Sequence, residues 1–337
     1  MQLDDILGRV AAGQNLTMEE MTDAIGMMME GSCSDEQIGL LLMGLKAKGE
    51  TVDEVAGAAA AMRRYMTPVS TERKGLLDTC GTGGDGSGTF NISTAAALVT
   101  AAAGVPVAKH GNRAITSKTG SADVLAALGV NVDAPVEQVQ VCLDQLGIGF
   151  CFAPLLHKSM RHVATVRKKL GVPTIFNMLG PLSNPAGAPF QLLGVGRDEL
   201  RRVLAEALVL LGTTRAIVVH GEDGLDEVTL GGTTHVTEAT PDGLNEFSWT
   251  PADFGLAIAE PDEMLVADAN DSASLIRAVL DGHPGPPRDI VVLNAAAGLW
   301  VAGAEANPHD CAALAAQAID SGAAGQLLDQ LAKLSQA

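Results

Sequence analysis

A glycine-rich stretch, followed by cationic and hydroxyl-bearing residues, is the part of this sequence best suited to chemistry. Residues 81–88 contain five glycines and lie between a short apolar run and an alanine-rich segment that begins near Ile92. Glycine adopts positive φ angles, and a helix that starts after such a turn presents free N–H groups to an anion. The pattern predicts a strand, a turn and a helix N-terminus that together bind phosphate.

The charges around this stretch favour the same chemistry. The chain is acidic overall, yet no Asp or Glu occurs between Asp85 and Asp123. The basic residues in that interval are Lys109, His110, Arg113 and Lys118. Local cations in an acidic protein indicate a site for a polyanion, and a solvated basic loop is the alternative that the pattern leaves open.

Three familiar phosphate motifs match this stretch only in part. Residues 81–86 fit G-x-G-x-x-G, but no acidic residue follows about 20 positions on, where dinucleotide-binding folds carry one for the ribose. A P-loop needs G-K-[ST] at the end of the glycines, and no lysine follows them until Lys109. The commoner phosphoribosyltransferases carry two acids before a Thr-Gly-Gly turn, whereas only Asp78 precedes this one. A dinucleotide-binding protein and a nucleoside triphosphatase are therefore disfavoured.

A second candidate site is the acidic turn that contains Asp226 and Glu227. The turn follows an apolar run at 216–219 and also contains Glu222 and Asp223. Adjacent carboxylates in a loop supply the hard oxygen ligands that Mg²⁺ takes together with substrate phosphates. A solvated acidic turn has the same pattern, so these residues alone do not establish a metal site.

These motifs, in their order along essentially the whole chain, resemble the anthranilate phosphoribosyltransferase family, which is related to the class II nucleoside phosphorylases. The matching segments are Asp78-Thr79-Cys80-Gly81-Thr82-Gly83-Gly84-Asp85, Asn91-Ile92-Ser93-Thr94, Lys109-His110-Gly111-Asn112-Arg113, Phe176-Asn177-Met178-Leu179-Gly180-Pro181-Leu182 and Asp226-Glu227. The resemblance implies transfer of the phosphoribosyl group of phosphoribosyl pyrophosphate (PRPP) to the amine of anthranilate, in tryptophan biosynthesis. It also implies displacement at ribose C1 with inversion, in which pyrophosphate has largely left before the amine bonds, and a mobile glycine-rich loop at 81–88.

The resemblance assigns site residues position by position. Those expected to bind PRPP are Gly81, Gly84, Asp85, Thr89, Asn91, Ile92, Ser93, Thr94, Lys109, His110, Gly111, Asn112, Arg113, Ala114, Ile115, Thr116, Ser117 and Ser121. Those expected to bind anthranilate are Gly81, Asn112, His157 and Arg167. Catalytic roles are expected for His110, Asn112 and Arg167, and magnesium, with two ions per subunit, is expected on Ser93, Asp226 and Glu227. An arginine is suited to bind the acceptor, anthranilate, because a guanidinium pairs with its carboxylate.

Three positions depart from the family pattern on the acceptor side. Lys158 and Ser159 follow His157 where a Pro-Ala pair is frequent, and Pro173 stands where an arginine is common. The sequence therefore defines the donor side more firmly than the acceptor side.

Two other functions fit parts of this pattern. A class II nucleoside phosphorylase would use a nucleobase and phosphate without a metal, so metal dependence and a pyrophosphate product distinguish it from the transferase. A non-catalytic relative that binds nucleic acid would need a basic surface. The formal net charge of −18 and the aromatic content of 3% disfavour backbone contacts and base stacking. We expect small-molecule substrates and neither a nucleic-acid nor a membrane partner.

Size and composition predict a soluble, globular, cytoplasmic protein. The 337 residues are 47% hydrophobic without an apolar run near 18 residues, and the N-terminal segment lacks the apolar core of a secretory signal. The five cysteines are scattered and form no C-x-x-C pair, so neither a disulfide framework nor a zinc site is expected. A homodimer through the methionine-bearing helices is what the resemblance implies.

The elements that must position these residues fall into two groups. Residues 1 to about 70 read as helices alone, with capping boxes at Thr17–Glu20, Ser34–Gln37 and Thr51–Glu54. From Leu76 strands and helices alternate, with strand candidates at 76–79, 105–108, 148–152, 191–195, 216–220 and 289–293. Such alternation predicts a mainly parallel sheet whose ligands bind at the carboxyl ends of the strands.

The predicted fold is therefore α/β, of the type found in class II nucleoside phosphorylases and phosphoribosyltransferases. A small all-helical domain is expected at residues 1–74, and a large α/β domain with a central, mainly parallel sheet at 75–337. The resemblance implies that part of the basic, proline-rich segment 158–185 returns to the helical domain and faces the phosphate site across a cleft.

Overall fold

The computed structural model of the protein describes residues 3–114 and 119–337. Four helices come first in the chain: α1 (Leu3–Ala11), α2 (Met18–Met29), α3 (Asp35–Lys48) and α4 (Val52–Tyr65). The three predicted capping boxes are confirmed at the starts of α2, α3 and α4. Each box pairs two N–H groups that the first turn of a helix otherwise leaves without partners, which explains where these helices begin.

The described residues form a sheet of seven strands. They are β1 (Leu77–Gly81), β2 (Val107–Gly111), β3 (Ile148–Phe152), β4 (Phe190–Gly194), β5 (Arg215–Gly221), β6 (Thr234–Thr240) and β7 (Gly243–Trp249). The strand order is β3-β2-β1-β4-β5-β6-β7. The strands from β3 to β5 in this order are parallel, and β6 and β7 form an antiparallel hairpin at one edge. The prediction of a mainly parallel sheet is confirmed.

The register of the parallel strands brings their carboxyl ends to one edge of the sheet. Gly81 of β1 pairs with Gly194 of β4, and Gly111 of β2 pairs with Phe152 of β3. Residues that follow these strands therefore meet at this edge, which is where parallel sheets bind ligands.

The remaining helices connect and cover the strands. They are α5 (Ile92–Ala102), α6 (Ser121–Ala127), α7 (Val136–Leu146), α8 (Ala153–Leu156), α9 (Arg161–Leu170), α10 (Phe176–Leu179), α11 (Glu199–Leu210), α12 (Ala269–Leu280), α13 (Pro286–Val301), α14 (Pro308–Asp320) and α15 (Ala323–Leu334). Short 3₁₀ helices occupy Lys158–Met160, Pro251–Phe254 and Pro261–Met264. In the described ranges, no helix has the length and apolar character that crossing a bilayer requires.

Successive residues of the central strands point into two different cores. Leu192 and Ile217 pack in the core that contains α5 and α13. Their neighbours Leu193 and Val218 pack in a second core, which contains the N-terminal helices and α11. Val163 of α9 belongs to this second core as well. The alternation follows from the twofold period of a strand, and it seats the N-terminal helices on one face of the sheet.

The predicted strand at 289–293 is wrong, because these residues lie inside α13. The helix begins with Pro286 and Pro287 in its first turn, a position that proline favours. Residues 290–293 are all buried, so this part of the helix has no polar face. A short apolar run of this kind has the same periodicity in a buried helix and in a buried strand.

Candidate active site

A cavity of about 610 Å³ opens at the carboxyl ends of β1 and β2. Its walls come from the glycine-rich turn, the start of α5, the end of β2 and the turn after β5. The predicted site residues that line it are Gly81, Gly84, Asp85, Thr89, Asn91, Ile92, Ser93, Lys109, His110, Gly111, Asn112, Arg113, Ala114, Ser121, Asp226 and Glu227. The structure thus brings the predicted phosphate site and the acidic turn into one pocket.

The glycine-rich turn depends on left-handed backbone angles. Gly83 and Gly84 have φ angles of 67° and 82°, where a side chain would strain the backbone. After the turn, Asn91 caps α5 by accepting a hydrogen bond from the Thr94 N–H at 3.2 Å. The start of α5 at Ile92 lines the cavity, and its free N–H groups and positive dipole end suit an anion.

Two further glycines let Asp226 approach the end of β1. A Cβ on Gly81 would lie 2.8 Å from Asp226 Oδ2, and one on Gly194 would lie 1.6 Å from the Asp226 carbonyl oxygen. Asp226 Oδ2 accepts a hydrogen bond from the Gly83 N–H at 3.0 Å. The acidic turn is therefore held directly against the glycine-rich turn, although 143 positions separate the two residues.

Lys109 is a buried cation at the centre of the site. Its side chain lies on β2, and Nζ donates to the Thr79 carbonyl oxygen at 2.6 Å and to Ser93 Oγ at 3.2 Å. Burial lowers the pKa of Lys109, and the neighbouring negative groups, Asp78 first, oppose that shift. An ammonium group has three donors, so two of them fix its position and one remains for a ligand oxygen.

Asp226 and Glu227 are half-buried neighbours on the cavity wall, and the surrounding protein partly desolvates their carboxyl groups. Burial, followed by repulsion from Asp85, raises the pKa of Asp226 to about 7. Burial, followed by repulsion from Asp226, raises the pKa of Glu227 to about 8. The site therefore concentrates negative charge that costs free energy unless a cation or protons neutralise it.

A divalent cation suits these residues. A cation would favour the ionised carboxylates, and Ser93 Oγ lies on the same wall as a further oxygen. Among the residues described, no group of three or more His, Cys, Asp or Glu side chains is arranged to hold a metal ion. Two carboxylates and a hydroxyl are oxygen ligands of the kind that Mg²⁺ takes in combination with substrate oxygens.

His110 and His157 form a buried pair beside the cavity. Their Nε2 atoms are 3.2 Å apart, and His110 Nδ1 lies 3.0 Å from the Gly180 carbonyl oxygen. Because a carbonyl oxygen only accepts, His110 Nδ1 carries the hydrogen and neutral His110 accepts at Nε2 from His157. Burial, followed by the charge of His157, lowers the pKa of His110 to about 3. With both nitrogens in hydrogen bonds, His110 joins His157 to the Gly180 segment, and its catalytic role stays a prediction.

Beyond β2, residues 112–114 line the cavity at the start of the connection to α6. The guanidinium of Arg113 lies 3.3 Å from Asp123 and 3.7 Å from Asp133. Ser121 Oγ donates to the Asn112 carbonyl oxygen at 3.4 Å, which joins the two ends of this connection. Three residues predicted to bind PRPP lie outside the described residues: Ile115, Thr116 and Ser117.

Three other predicted residues do not line the cavity: Thr94, His157 and Arg167. Thr94 is buried, and its hydroxyl bonds to Asn91 Oδ1, so it supports the cap of α5. Arg167 lies on α9 with its guanidinium carbon 5.3 Å from the centre of the Phe176 ring. Asn177, the residue after Phe176, lines the cavity.

The cavity also contains residues that the sequence analysis did not assign to the site: Cys80, Thr82, Gly83, Gly86, Ser87, Gly88, Phe90, Thr119, Gly120 and Asn177. Most are neighbours of assigned residues, whereas Asn177 comes from α10. Asn177 belongs to segment 176–182, which matches the family, and this match was the sequence signal that could have identified it as a site residue. Cys80 Sγ accepts from Gln191 Nε2 at 3.1 Å, and burial raises the pKa of its thiol, so Cys80 is not a nucleophile.

The fold and the site together define the class of protein. The sequence matches the model of the glycosyl transferase family, helical bundle domain, over residues 4–66. It matches the model of the glycosyl transferase family, a/b domain, over residues 73–325. The class is that of glycosyltransferases built from these two domains.

Comparisons with individual proteins narrow the class to one family. The anthranilate phosphoribosyltransferase of Rhodopirellula baltica is 48% identical to this chain over 333 residues, which are 99% of this chain and 97% of that protein. The crystal structure of the Thermus thermophilus enzyme has a TM-score of 0.93 at 44% identity and covers 99% of this chain and 100% of its own. The Saccharomyces cerevisiae enzyme in complex with PRPP and Mg has a TM-score of 0.91 at 28% identity, with coverage of 99% and 98%. The same yeast enzyme in complex with 4-fluoroanthranilate has a TM-score of 0.87 at 27% identity and covers 99% of each chain. The chain belongs to the anthranilate phosphoribosyltransferase family.

Proposed function

We propose that this protein transfers the 5-phosphoribosyl group of PRPP to the amine of anthranilate and releases pyrophosphate. The proposal rests on one observation. A helix N-terminus, the buried Lys109 and the Asp226–Glu227 pair meet in the same pocket. These groups match a substrate that brings several phosphates and a metal ion to one place. The choice of substrates is supported by the yeast relative, whose complexes contain PRPP with Mg and 4-fluoroanthranilate.

The donor is bound by backbone N–H groups and by side chains that come from different elements of the fold. The glycine-rich turn and the first turn of α5 offer N–H groups to phosphate oxygens. Lys109 adds a positive charge that is already fixed by Thr79 and Ser93, so little reorganisation is needed when pyrophosphate departs. Catalysis comes from orienting the two substrates and stabilising the leaving group, without a covalent nucleophile.

Asp226, Glu227 and the Ser93 hydroxyl would hold magnesium together with substrate oxygens. We expect two ions per subunit, as the family resemblance implies. When bound, magnesium neutralises part of the charge of the pyrophosphate leaving group. The chain's own contribution is a pair of carboxylates kept close to the glycine-rich turn by the bond from the Gly83 N–H.

The acceptor is bound on the side of α9 and α10. Arg167 pairs with the carboxylate of anthranilate, and its contact with Phe176 holds the guanidinium plane in one orientation. Asn112 and Gly81 lie on the cavity wall between donor and acceptor. His110 and His157 position the Gly180 segment on this side.

We also propose a homodimer whose contact includes α3. Leu40 and Met43, one turn apart on α3, are 57% and 39% exposed, whereas most large apolar side chains of the N-terminal helices are buried. Exposed apolar side chains on one helical face are typical of an interface. The domain boundary near residue 74, the return of part of 158–185 to the helical domain and the cytoplasmic location stay predictions.

The proposed reaction is tested by the loss of anthranilate fluorescence when purified protein, PRPP and Mg²⁺ are combined. We expect the signal to fall only with all three present, and pyrophosphate to appear in equal amount. Metal-independent cleavage of a nucleoside by phosphate, without loss of anthranilate, would instead support a nucleoside phosphorylase. Loss of neither substrate would overturn the proposal.

A further inference from the structure

We propose that Asp123 is a positioning residue that holds Arg113 and Ala114, the described start of the segment expected to bind PRPP, in place on the cavity wall. Asp123 lies in the first turn of α6 and does not line the cavity. The inference rests on the proposed function, since its consequence for PRPP presumes that PRPP is the donor. The structural part, the attachment of this segment by one carboxylate, stands independently of the substrate.

One carboxylate joins both ends of the connection between β2 and α6. Asp123 Oδ2 accepts a hydrogen bond from the Ala114 N–H at 2.9 Å and another from the Gly120 N–H at 3.2 Å. Asp123 Oδ1 accepts from Arg113 Nη1 at 3.3 Å. Hydrogen bonds to an ionised acceptor are roughly twice as strong as neutral ones, so this carboxylate binds both ends of the connection strongly.

At Gly120 and Gly111, near Asp123, the neighbouring atoms lie so close that a residue with a side chain would not fit. A Cβ on Gly120 would lie 2.2 Å from the Ala114 nitrogen and 2.5 Å from the Arg113 carbonyl carbon. A Cβ on Gly111 would lie 2.1 Å from Ser121 Oγ. The two ends of the connection are therefore in contact, and Asp123 lies where it can bond to both.

These contacts go beyond those of a helix cap. The bond from the Gly120 N–H to Asp123 is the half of a capping box that a glycine N-cap allows, and that bond serves α6 alone. The bonds from Ala114 and Arg113 serve the opposite end of the connection, where Arg113 and Ala114 line the cavity. Removal of the carboxylate should therefore disturb the pocket wall and not only the start of a helix.

A neighbouring carboxylate offers a matched control. Asp133 also pairs with Arg113, at 3.7 Å, and its side chain is 63% exposed. Among the described residues at the ends of the connection, its carboxylate forms no hydrogen bond to the backbone at 112–114, 120 or 121. Substitution of Asp133 removes a similar charge near Arg113 and leaves the attachment of the segment intact.

The test compares Asp123→Ala, Asp123→Asn, Gly120→Ala and Asp133→Asn in steady-state assays. For Asp123→Ala and Gly120→Ala we expect the KM for PRPP to rise about tenfold, with kcat changed by less than about twofold. Asp123→Asn should recover part of the loss, because an amide oxygen still accepts from the two N–H groups. Asp133→Asn should behave like the unsubstituted protein.

Amide hydrogen exchange supplies a readout that needs no substrate. We expect the Ala114 and Gly120 amides to exchange faster in Asp123→Ala than in Asp133→Asn. If the unsubstituted protein transfers no phosphoribosyl group, the proposed function fails while this comparison still tests the attachment. Equal exchange in the two variants, or an Asp123→Ala variant that loses thermal stability but keeps the KM for PRPP, would reduce Asp123 to a helix cap and overturn the inference.

Discussion

The Nε2 atom of His157 donates to the Nε2 atom of His110 across 3.2 Å, and the Gly180 carbonyl sets this direction by occupying His110 Nδ1. Both rings are buried. A proton added to either ring would place a charge in a buried, already bonded pair, so the folded protein keeps both rings neutral.

The first prediction concerns stability in acid. Burial lowers the pKa of His110 to about 3 and that of His157 to about 4, each from 6.5. At these two histidines, the unfolded chain therefore binds more protons than the folded one as the pH falls below 6.5. The histidines should lower the free energy of unfolding by about 1 kcal/mol each near pH 5.5, relative to neutral pH, whereas the raised pKa values of Asp226 and Glu227 act in the opposite direction in the metal-free protein. Urea unfolding of the unsubstituted protein and of His157→Gln at the two pH values isolates the contribution of the histidine.

Substitutions separate this effect from general acid sensitivity. His157→Gln keeps a donor for His110 and removes one titrating group, so its loss of stability in acid should be smaller. His309→Gln, at a side chain that is 69% exposed, should not alter the pH dependence. An unchanged pH dependence in His157→Gln would contradict the assignment.

The second prediction concerns the carboxylates. At pH 9, above the pKa of about 8 of Glu227, Glu227→Gln should raise the melting temperature of the metal-free protein, because it removes a negative charge beside Asp226. The same variant should lose about 100-fold or more in kcat/KM for PRPP. Glu222→Gln, which changes an exposed carboxylate of the same turn, should alter neither quantity. Lower stability of metal-free Glu227→Gln would count against the repulsion that we infer.

The third prediction concerns Lys109. Lys109→Met should reduce kcat/KM for PRPP by about 100-fold or more, since it removes the fixed cation at the pyrophosphate. Lys109→Arg should not restore activity, because the side chain is only 4% exposed and a guanidinium does not fit the same bonds. The exposed Lys74→Met is the control, and equal kinetics for all three variants would argue against a role in donor binding.

The fourth prediction concerns Arg167. Arg167→Lys should raise the KM for anthranilate by about tenfold or more and leave that for PRPP nearly unchanged, because a lysine lacks the planar fork and the contact with Phe176. Lys168→Met, at the exposed neighbouring position, should keep both KM values. A change in the KM for PRPP alone would place Arg167 on the donor side.

The fifth prediction concerns assembly. Leu40→Glu on α3 should convert a homodimer into a monomer in sedimentation velocity experiments, because it places a charge in the proposed contact. Ile258→Glu is the control, since this side chain is 69% exposed and far along the chain from α3. A dimer that survives Leu40→Glu would place the contact elsewhere.

Local features were readable from the sequence because neighbouring residues cause them. The capping boxes at Thr17, Ser34 and Thr51, the glycine-rich turn and the start of α5 each depend on a few consecutive residues. The prediction of a strand at 289–293 was wrong because the conformation of these residues depends on distant parts of the chain. Inside α13 these residues are surrounded by other elements, and their burial, which no local pattern encodes, decides their conformation.

By itself, the sequence determined the chemistry available: an acid-free interval with cations, a glycine-rich turn, a carboxylate pair and the order of motifs that marks the family. Only the tertiary structure decided which of these groups meet. It joined Asp226 to Gly83, paired His110 with His157, packed Arg167 against Phe176 and gave Asp123 its bonds to both ends of a segment. The physical reason is the separation along the chain of the residues that interact. Backbone angles and helix caps follow from adjacent residues. Burial, charge repulsion and contacts between distant positions arise only when the sheet and helices pack.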